Sequence, residues 1–402
     1  MKKKLVLALC LLLSMSCVHF ARFASSEAKT YDSLPVHNLN TGLNYSTIQE
    51  AINANETLDG QTIFVDAGTY YENVVVNKSV SLFGAGSEST IIDANGTGSP
   101  MEISNNVTVS GFTLRNGGDG IDVEGGENCY ISDNQMINNT FGINLECSVA
   151  FPTLSVITRN YIANSSIGIY AFEAYNTTIT ANTIANSSNM GVNLWVSEYN
   201  TFVHNNFINN TIQVFNSGES GTWPDTWDNG NASGGNYWSD YKGNNTNDGF
   251  GNIPYEVDEL GNLDHHPLMG MFTSFDVNPQ YSVETVCNST ISDFQFNGTA
   301  LAFNASGENG TTGFCRISIP TALVNGTVAV YVNGTEAPYT LLPESNSTQS
   351  ILYLTYQFPA QQIVVTPEFP SFIILPFYMS AMFIAMVCYK KKATRLKSFK
   401  SC

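Results

Sequence analysis

The sequence predicts an all-β chain: a solenoid of stacked β coils, a smaller β unit after it, and one C-terminal transmembrane helix. Three observations predict this. A nine-residue phrase recurs four times, as Tyr130–Asn138, Val156–Asn164, Thr178–Asn186 and Thr201–Asn209, with steps of 26, 22 and 23 residues between equivalent asparagines. A glycine-aliphatic step keeps the same beat at Gly120-Ile121, Gly142-Ile143, Gly168-Ile169 and Gly191-Val192. Near the end, Phe372 to Tyr389 is an 18-residue apolar run with six basic residues close behind it. A fixed period of this size, built from short β phrases, is the mark of a solenoid in which each repeat is one coil.

The elements follow in order. Lys2 to Lys4, the apolar run from Leu5 to Val18 and the small residues Ser25, Ser26 and Ala28 have the three regions of a secretory signal, so residues 1–28 are assigned to a signal peptide. Residues 29–270 are assigned to the solenoid and its N-terminal cap. There, Ser46 and Gln49 have the spacing of a capping box for a short helix that would plug the open end. Within each phrase apolar and polar residues alternate, the period of a half-buried strand. Stacking the phrases places Ile131, Ile157, Ile179 and Phe202 over one another in the core. It also places Asn134, Asn160, Asn182 and Asn205 in one file at a turn. Stacked asparagine amides bond to their copies in adjacent coils, and asparagine tolerates the left-handed backbone of a sharp corner. One coil earlier, Phe112 takes the ladder position, so the file should begin at Asn134. Residues 271–366 form the second unit, and residues 367–402 the anchor with its cytoplasmic basic tail.

Charge narrows the partners. From Lys29 to Ser371 there are six basic residues against thirty-three acidic ones, a net of −27. Such a surface repels nucleic acid and acidic polysaccharides alike. Cell-envelope glycans without acidic groups, or surface proteins, remain as partners. Nineteen Asn-X-Ser/Thr triplets run from Asn44 to Asn346, which predicts N-glycosylation of an exposed chain. Asn138, Asn164, Asn186 and Asn209 are both acceptors and repeat positions. Read as buried ladder members, they are expected to stay unmodified, with glycans concentrated on the second unit. Four cysteines lie in the exterior portion. Cys287 and Cys315 are placed to staple the second unit, while pairing of Cys129 with Cys147 stays open.

Thr47 to Ile52, Gly60 to Val65 and Gly68-Thr-Tyr-Tyr-Glu72-Asn-Val74 resemble the opening of right-handed parallel β-helix proteins. The closing run strengthens the likeness: Gly234-Gly-Asn-Tyr-Trp-Ser-Asp-Tyr241, Asp248-Gly-Phe-Gly251 and Asp264-His-His-Pro-Leu-Met269. Together they resemble the NosD-type, or CASH (carbohydrate-binding and sugar hydrolase), family of the pectin-lyase-like superfamily, over about residues 45–270. The resemblance implies a right-handed parallel β-helix, a surface location and carbohydrate binding, adhesion or a structural envelope role. Residues 281–365 resemble a β-sandwich module found before archaeal membrane anchors. Pro367-Glu368-Phe369-Pro370 and the apolar run resemble a PEF-type sorting signal, which implies exchange of the helix for a lipid; an ordinary membrane anchor is the alternative.

Chemistry is harder to read. A hydrolase needs paired acids on one face of the stack. The repeat phrases offer only Asp122 and Asp133 near one another, with no echo at the same place in the next coil, and no esterase Gln-Asp-Thr segment is present. No catalytic residue is therefore assigned; a glycan-processing hydrolase, lyase or esterase is the alternative reading. Trp223, Trp227, Trp238 and Tyr241 concentrate at the end of the array, where they either cap the core or stack on sugar rings. Asp240, Asp248 and Asp258 are the calcium candidates in an asparagine-rich turn that is poor in carboxylates. The family name brings in copper, for which His265, His266 and Met269 are the soft ligand set, a weaker candidate than calcium.

Overall fold

The computed structural model describes residues 34–146, 154–217, 224–359 and 361–368. The predicted leader, Cys147, Trp223, Phe369, Pro370, the apolar run and the basic tail lie outside the described residues. Among the described residues no helix is long and apolar enough to cross a membrane.

The chain forms a parallel β-solenoid of the right-handed type with about seven coils. Each coil contributes one strand to each of three sheets, of nine, eight and seven strands. In the nine-stranded sheet Ile131 pairs with Ile157, Ile157 with Ile179 and Ile179 with Phe202. All four are essentially inaccessible to solvent. The eight-stranded sheet stacks Leu114, Met136, Ile162, Ile184, Phe207 and Trp238 in the same way. The seven-stranded sheet stacks Ile121, Ile143, Ile169, Val192 and Val214. These files fill one continuous core. The glycine of the glycine-aliphatic step serves close approach between coils. A Cβ on Gly142 would meet the carbonyl oxygen of Gly168 at 2.5 Å, and one on Gly191 that of Gln213 at 2.6 Å, far inside contact distance.

The asparagine file is a chain of hydrogen bonds. The backbone N–H of Asn134 donates to Asn160 Oδ1 at 3.0 Å, that of Asn160 to Asn182 Oδ1 at 2.9 Å and that of Asn182 to Asn205 Oδ1 at 3.0 Å. Each Nδ2 donates to the next Oδ1 as well, at 3.0–3.2 Å. At the start, Asn134 Oδ1 accepts from the backbone of Phe112. At the far end the file continues one step past the four repeat phrases, since Asn205 donates to Asn236 Oδ1 at 2.9 Å. The repeat asparagines Asn138, Asn164, Asn186 and Asn209 do not belong to this file. They are exposed, and the residues that follow them, Asn139, Ser165, Ser187 and Asn210, point inward instead. The expectation that they are buried ladder members is therefore corrected.

Both ends are closed. At the start, the helix Ile48–Asn53 buries Ile48, Ala51 and Ile52 over the first coil. Its cap sits one residue later than the sequence suggested: Thr47 accepts from the backbone of Glu50, and Glu50 in turn accepts from the backbone of Ser46. Glu72 takes the N–H groups of Ile48 and Gln49 at 3.1 and 3.0 Å. The glutamate of the Gly68–Val74 phrase is thus a helix cap. At the far end Trp227 stacks on Phe202, Trp238 on Phe207 and Tyr255 on Trp238, with ring centroids 4.3–4.4 Å apart. Buried Asp264 accepts from Trp238 Nε1 and from the backbone of Asn236. Its surroundings push its carboxyl up to about 6, chiefly through burial.

Beyond the solenoid, two five-stranded sheets share a second core that includes Val283, Phe303, Ile317, Leu354 and Ile363. Cys287 and Cys315, directly paired on adjacent strands, form a disulfide. Cys129 is a buried thiol whose Sγ donates to the Ser104 carbonyl. The two units are locked together by Arg316. It is 3% exposed, donates to the carbonyls of Asp248 and Ala232 at 3.0 and 2.9 Å, and lies over the Phe250 ring. Asn206 adds a two-way bridge to the Phe272 backbone.

Candidate functional site: the outer face of the seven-stranded sheet

Because side chains alternate along a strand, each strand of this sheet that buries one aliphatic file presents another to solvent. The residue after each core aliphatic forms one column: Glu102, Asp122, Asn144, Tyr170, Asn193 and Phe215 are successive partners. Two positions further on, Glu124, Glu146, Phe172 and Trp195 form a second column. Asp119 and Phe141 lead a third. The face therefore divides into an acidic half near the start and an aromatic half near the end. None of these paired positions carries Lys or Arg.

The acidic half is electrostatically crowded. Asp122 is pushed up to about 6, first by burial and then by Asp119, Glu102, Glu124 and Glu146 around it. Burial also raises Asp119, with Glu146 adding to the effect and hydrogen bonds from Ser99 and Asn144 opposing it. Asn144 Nδ2 donates to Asp122 Oδ1 at 3.2 Å, yet among the described residues the Oδ1 of Asn144 has no donor, and neither has that of Asn193. Both side chains are more than nine-tenths buried, on either side of Tyr170 in the column. In the aromatic half Phe141 stacks on Tyr170 at 5.3 Å, and Phe172 meets Trp195 at 6.5 Å and 44°. Trp195 is 46% exposed and Phe215 38%, so flat ring faces are open to a partner.

The residues singled out from the sequence lie elsewhere. Trp227 and Trp238 are 2% and 1% exposed and sandwiched in the end stack, so neither has a ring face for a sugar; packing the last coil claims both. Tyr241 bonds to the Ile253 carbonyl and lies against Gly243 and Gly251. The three calcium candidates do not converge. Asp240 accepts from Tyr255 and Gln213, Asp248 closes its own turn through Thr246 and the backbone of Phe250, and Asp258 closes another through Leu260 and Asn262. Among the described residues no three His, Cys, Asp or Glu side chains are grouped to hold a metal ion. The copper candidates are dispersed as well: His266 Nδ1 is engaged by Asp228 Oδ1 at 2.8 Å, and Met269 packs against the junction between the units. His265 is exposed, its backbone donating to the same Asp228. This donor set does not fit a copper ion. Pro367 ends the last strand, and the Glu368 backbone donates to Thr327.

Asp122 has no acidic partner in the following coil, where Asn144 lies, but the pairing adds acidic neighbours that the repeat phrases did not show. The echo of Asp122 sits in the preceding coil at Glu102, and Glu124 is echoed by Glu146. The signal was present: the glycine-aliphatic step fixes the register, and reading one and three residues beyond its aliphatic gives both outer columns.

Residues 37–243 match the sequence model of a family described as periplasmic copper-binding protein (NosD). A cell surface glycoprotein of Methanothermus fervidus is 34% identical over 179 residues, which is 42% of this chain and 30% of that protein. The chain thus matches less than a third of the length of that curated relative. A solved structure, ORF18 of Geobacillus virus E2, is 14% identical, with 82% of this chain and 76% of that one covered, at a TM-score of 0.25.

Proposed function

We propose, for a chain that belongs to the NosD family, that it is a cell-surface β-helix protein which binds hydroxyl-rich glycans without acidic groups along the outer face of its seven-stranded sheet. The observation that carries this is the juxtaposition of carboxylates and open aromatic rings on one flat surface without a basic residue. Carboxylates accept hydrogen bonds from sugar hydroxyls, and the apolar faces of pyranose rings settle on aromatic side chains, the mix of a few polar groups with apolar surface that ligand sites use. The surface location is supported by the cell surface glycoprotein to which the chain is similar. Attachment through residues 367–402, by helix or by lipid, belongs to the same proposal. Copper handling has only the family description behind it and is not adopted.

The test is retention on immobilised neutral glycans, compared between the native chain and Tyr170→Ala and Trp195→Ala variants. Loss of retention in both, with Trp227→Phe unaffected, is the expected result. Unchanged retention in the two ring variants sinks the proposal.

A second reading has one observation in its favour. Glu102 and Asp122 face each other on neighbouring strands, which lie about 4.8 Å apart, close to the roughly 5 Å between the carboxyl groups of a retaining glycosidase. The raised Asp122 suits a general acid. Sugar release that is lost in both Asp122→Asn and Glu102→Gln would establish it; retention without release leaves binding alone.

A further inference from the structure

We infer that one edge of the solenoid is a file of N-glycan attachment sites at Asn138, Asn164, Asn186 and Asn209, and that neighbouring coils exclude each other, so that alternate sites are filled. The four residues directly follow strands paired in register, Ile137 with Ala163, Ala163 with Ala185 and Ala185 with Ile208. They therefore stack at the spacing of one coil. Each is exposed, with φ between 52° and 58°. Each begins an Asn-X-Ser/Thr triplet, the hydroxyl being that of Thr140, Ser166, Ser188 or Thr211.

The backbone does not explain why all four are asparagine. The preceding corner of the same coils is equally left-handed, with φ between 56° and 61°, and carries Asp133, Arg159, Ala181 and His204. Left-handed geometry on this scaffold accepts four different side chains. A second comparison lies within the file. Asn116 occupies the same corner one coil earlier, also left-handed, but lacks a hydroxyl two residues on. Its Nδ2 donates to both oxygens of Asp93 at 3.0–3.1 Å. Among the described residues, no side-chain hydrogen bond holds the amides of the four triplet asparagines. Where the triplet is present the amide is free, and where it is absent the amide is used by the fold.

The reaction is transfer from a polyprenyl-phosphate-linked oligosaccharide, the co-substrate of a separate transferase. The Asn Nδ2 forms a bond to the sugar C1, the bond from C1 to the lipid phosphate oxygen breaks, the lipid phosphate leaves, and the amide gives up one proton. Crowding then sets the pattern. Neighbouring coils are about 4.8 Å apart, less than the width of a hydrated pyranose, so two adjacent corners cannot both carry one. Pairs that avoid adjacent coils are Asn138 with Asn186, Asn164 with Asn209, and Asn138 with Asn209.

Intact glycopeptide mass spectrometry of the full chain, made in a host with Asn-linked transfer, tests this, with exposed Asn309 as the internal reference. Occupied corners with no molecule modified on two adjacent coils is the expected result. Removing the hydroxyls as Thr140→Ala with Ser188→Ala leaves the corners themselves intact and should move occupancy to Asn164 and Asn209. Bare corners beside a modified Asn309, or a chain bare throughout, overturn the assignment. Adjacent double occupancy overturns the exclusion.

Discussion

Removing one rung of the asparagine file should be felt well beyond its own coil. Asn182 is fully buried, and its Oδ1 accepts from both the backbone and the Nδ2 of Asn160, while its Nδ2 donates to the Ile157 and Thr180 carbonyls and to Asn205 Oδ1. Asn182→Ala deprives the Asn160 backbone N–H of its acceptor and the Ile157 carbonyl of the amide donor. Each buried polar group left unpaired costs about 1–3 kcal/mol, so two of them should cost the variant roughly 2–6 kcal/mol. Urea unfolding followed by tryptophan fluorescence reads this as a midpoint lower by on the order of 1 M. Exposed Ser188→Ala is the control and should stay within about 0.5 kcal/mol of the native chain. Asn182→Asp separates the two halves of the amide: it keeps an acceptor but buries a charge against Asn205 Oδ1. Burial raises the folded pKa of that carboxyl, so its penalty is present at neutral pH and shrinks as the pH falls and the group protonates. An Asn182→Ala midpoint equal to that of Ser188→Ala would refute the hydrogen-bond account and leave shape alone as the basis of the file.

Asp122 titrates with the opposite sign to an ion-paired carboxylate. Its folded pKa, about 6, is raised, so its contribution weakens the fold as the pH rises from about 4 through 6. Asp122→Asn should therefore stabilise the protein at pH 7 by roughly 1 kcal/mol, discounted for its partial exposure, and give no difference below about pH 4 in parallel thermal melts. Arg316→Ala frees two buried carbonyls and should cost about 2–4 kcal/mol; limited proteolysis should then cut faster within residues 243–252, and an unchanged digestion pattern would count against Arg316 as the lock between the units. Glu72→Ala removes the acceptor from two helix N–H groups and should cost about 1–2 kcal/mol, read as faster hydrogen exchange at Ile48 and Gln49.

The coil stack was legible because its two signals, alternation and period, reinforce each other on every turn. The core file from Ile131 to Phe202 follows from them directly. What sequence spacing blurred was the outer register at corners. Asn138 and Asn139 differ by one position, and at a left-handed corner that one position decides between solvent and core. The acidic face was missed for a related reason. Asp122 and Glu102 belong to different phrases of the early coils, before the repeat becomes regular, and only strand pairing sets them side by side. The aromatic residues at the end of the array drew attention as a cluster, yet a solenoid must cover its last apolar cross-section, and large flat rings do that well. The rings most open to solvent, Trp195 and Phe215, are spaced one per coil and so do not look like a cluster at all.

A stack of identical cross-sections has no intrinsic reason to stop, and an uncovered terminal coil is a template on which another copy can add. Here the helix with its two caps blocks one end, and the ring stack with the docked second unit blocks the other. The protein is consequently a rod of fixed length, about 34 Å for seven coils at the usual strand spacing, rather than the first unit of a fibre. A fixed length makes the solenoid a ruler: anything laid along its flat face would meet the same number of coils in every molecule.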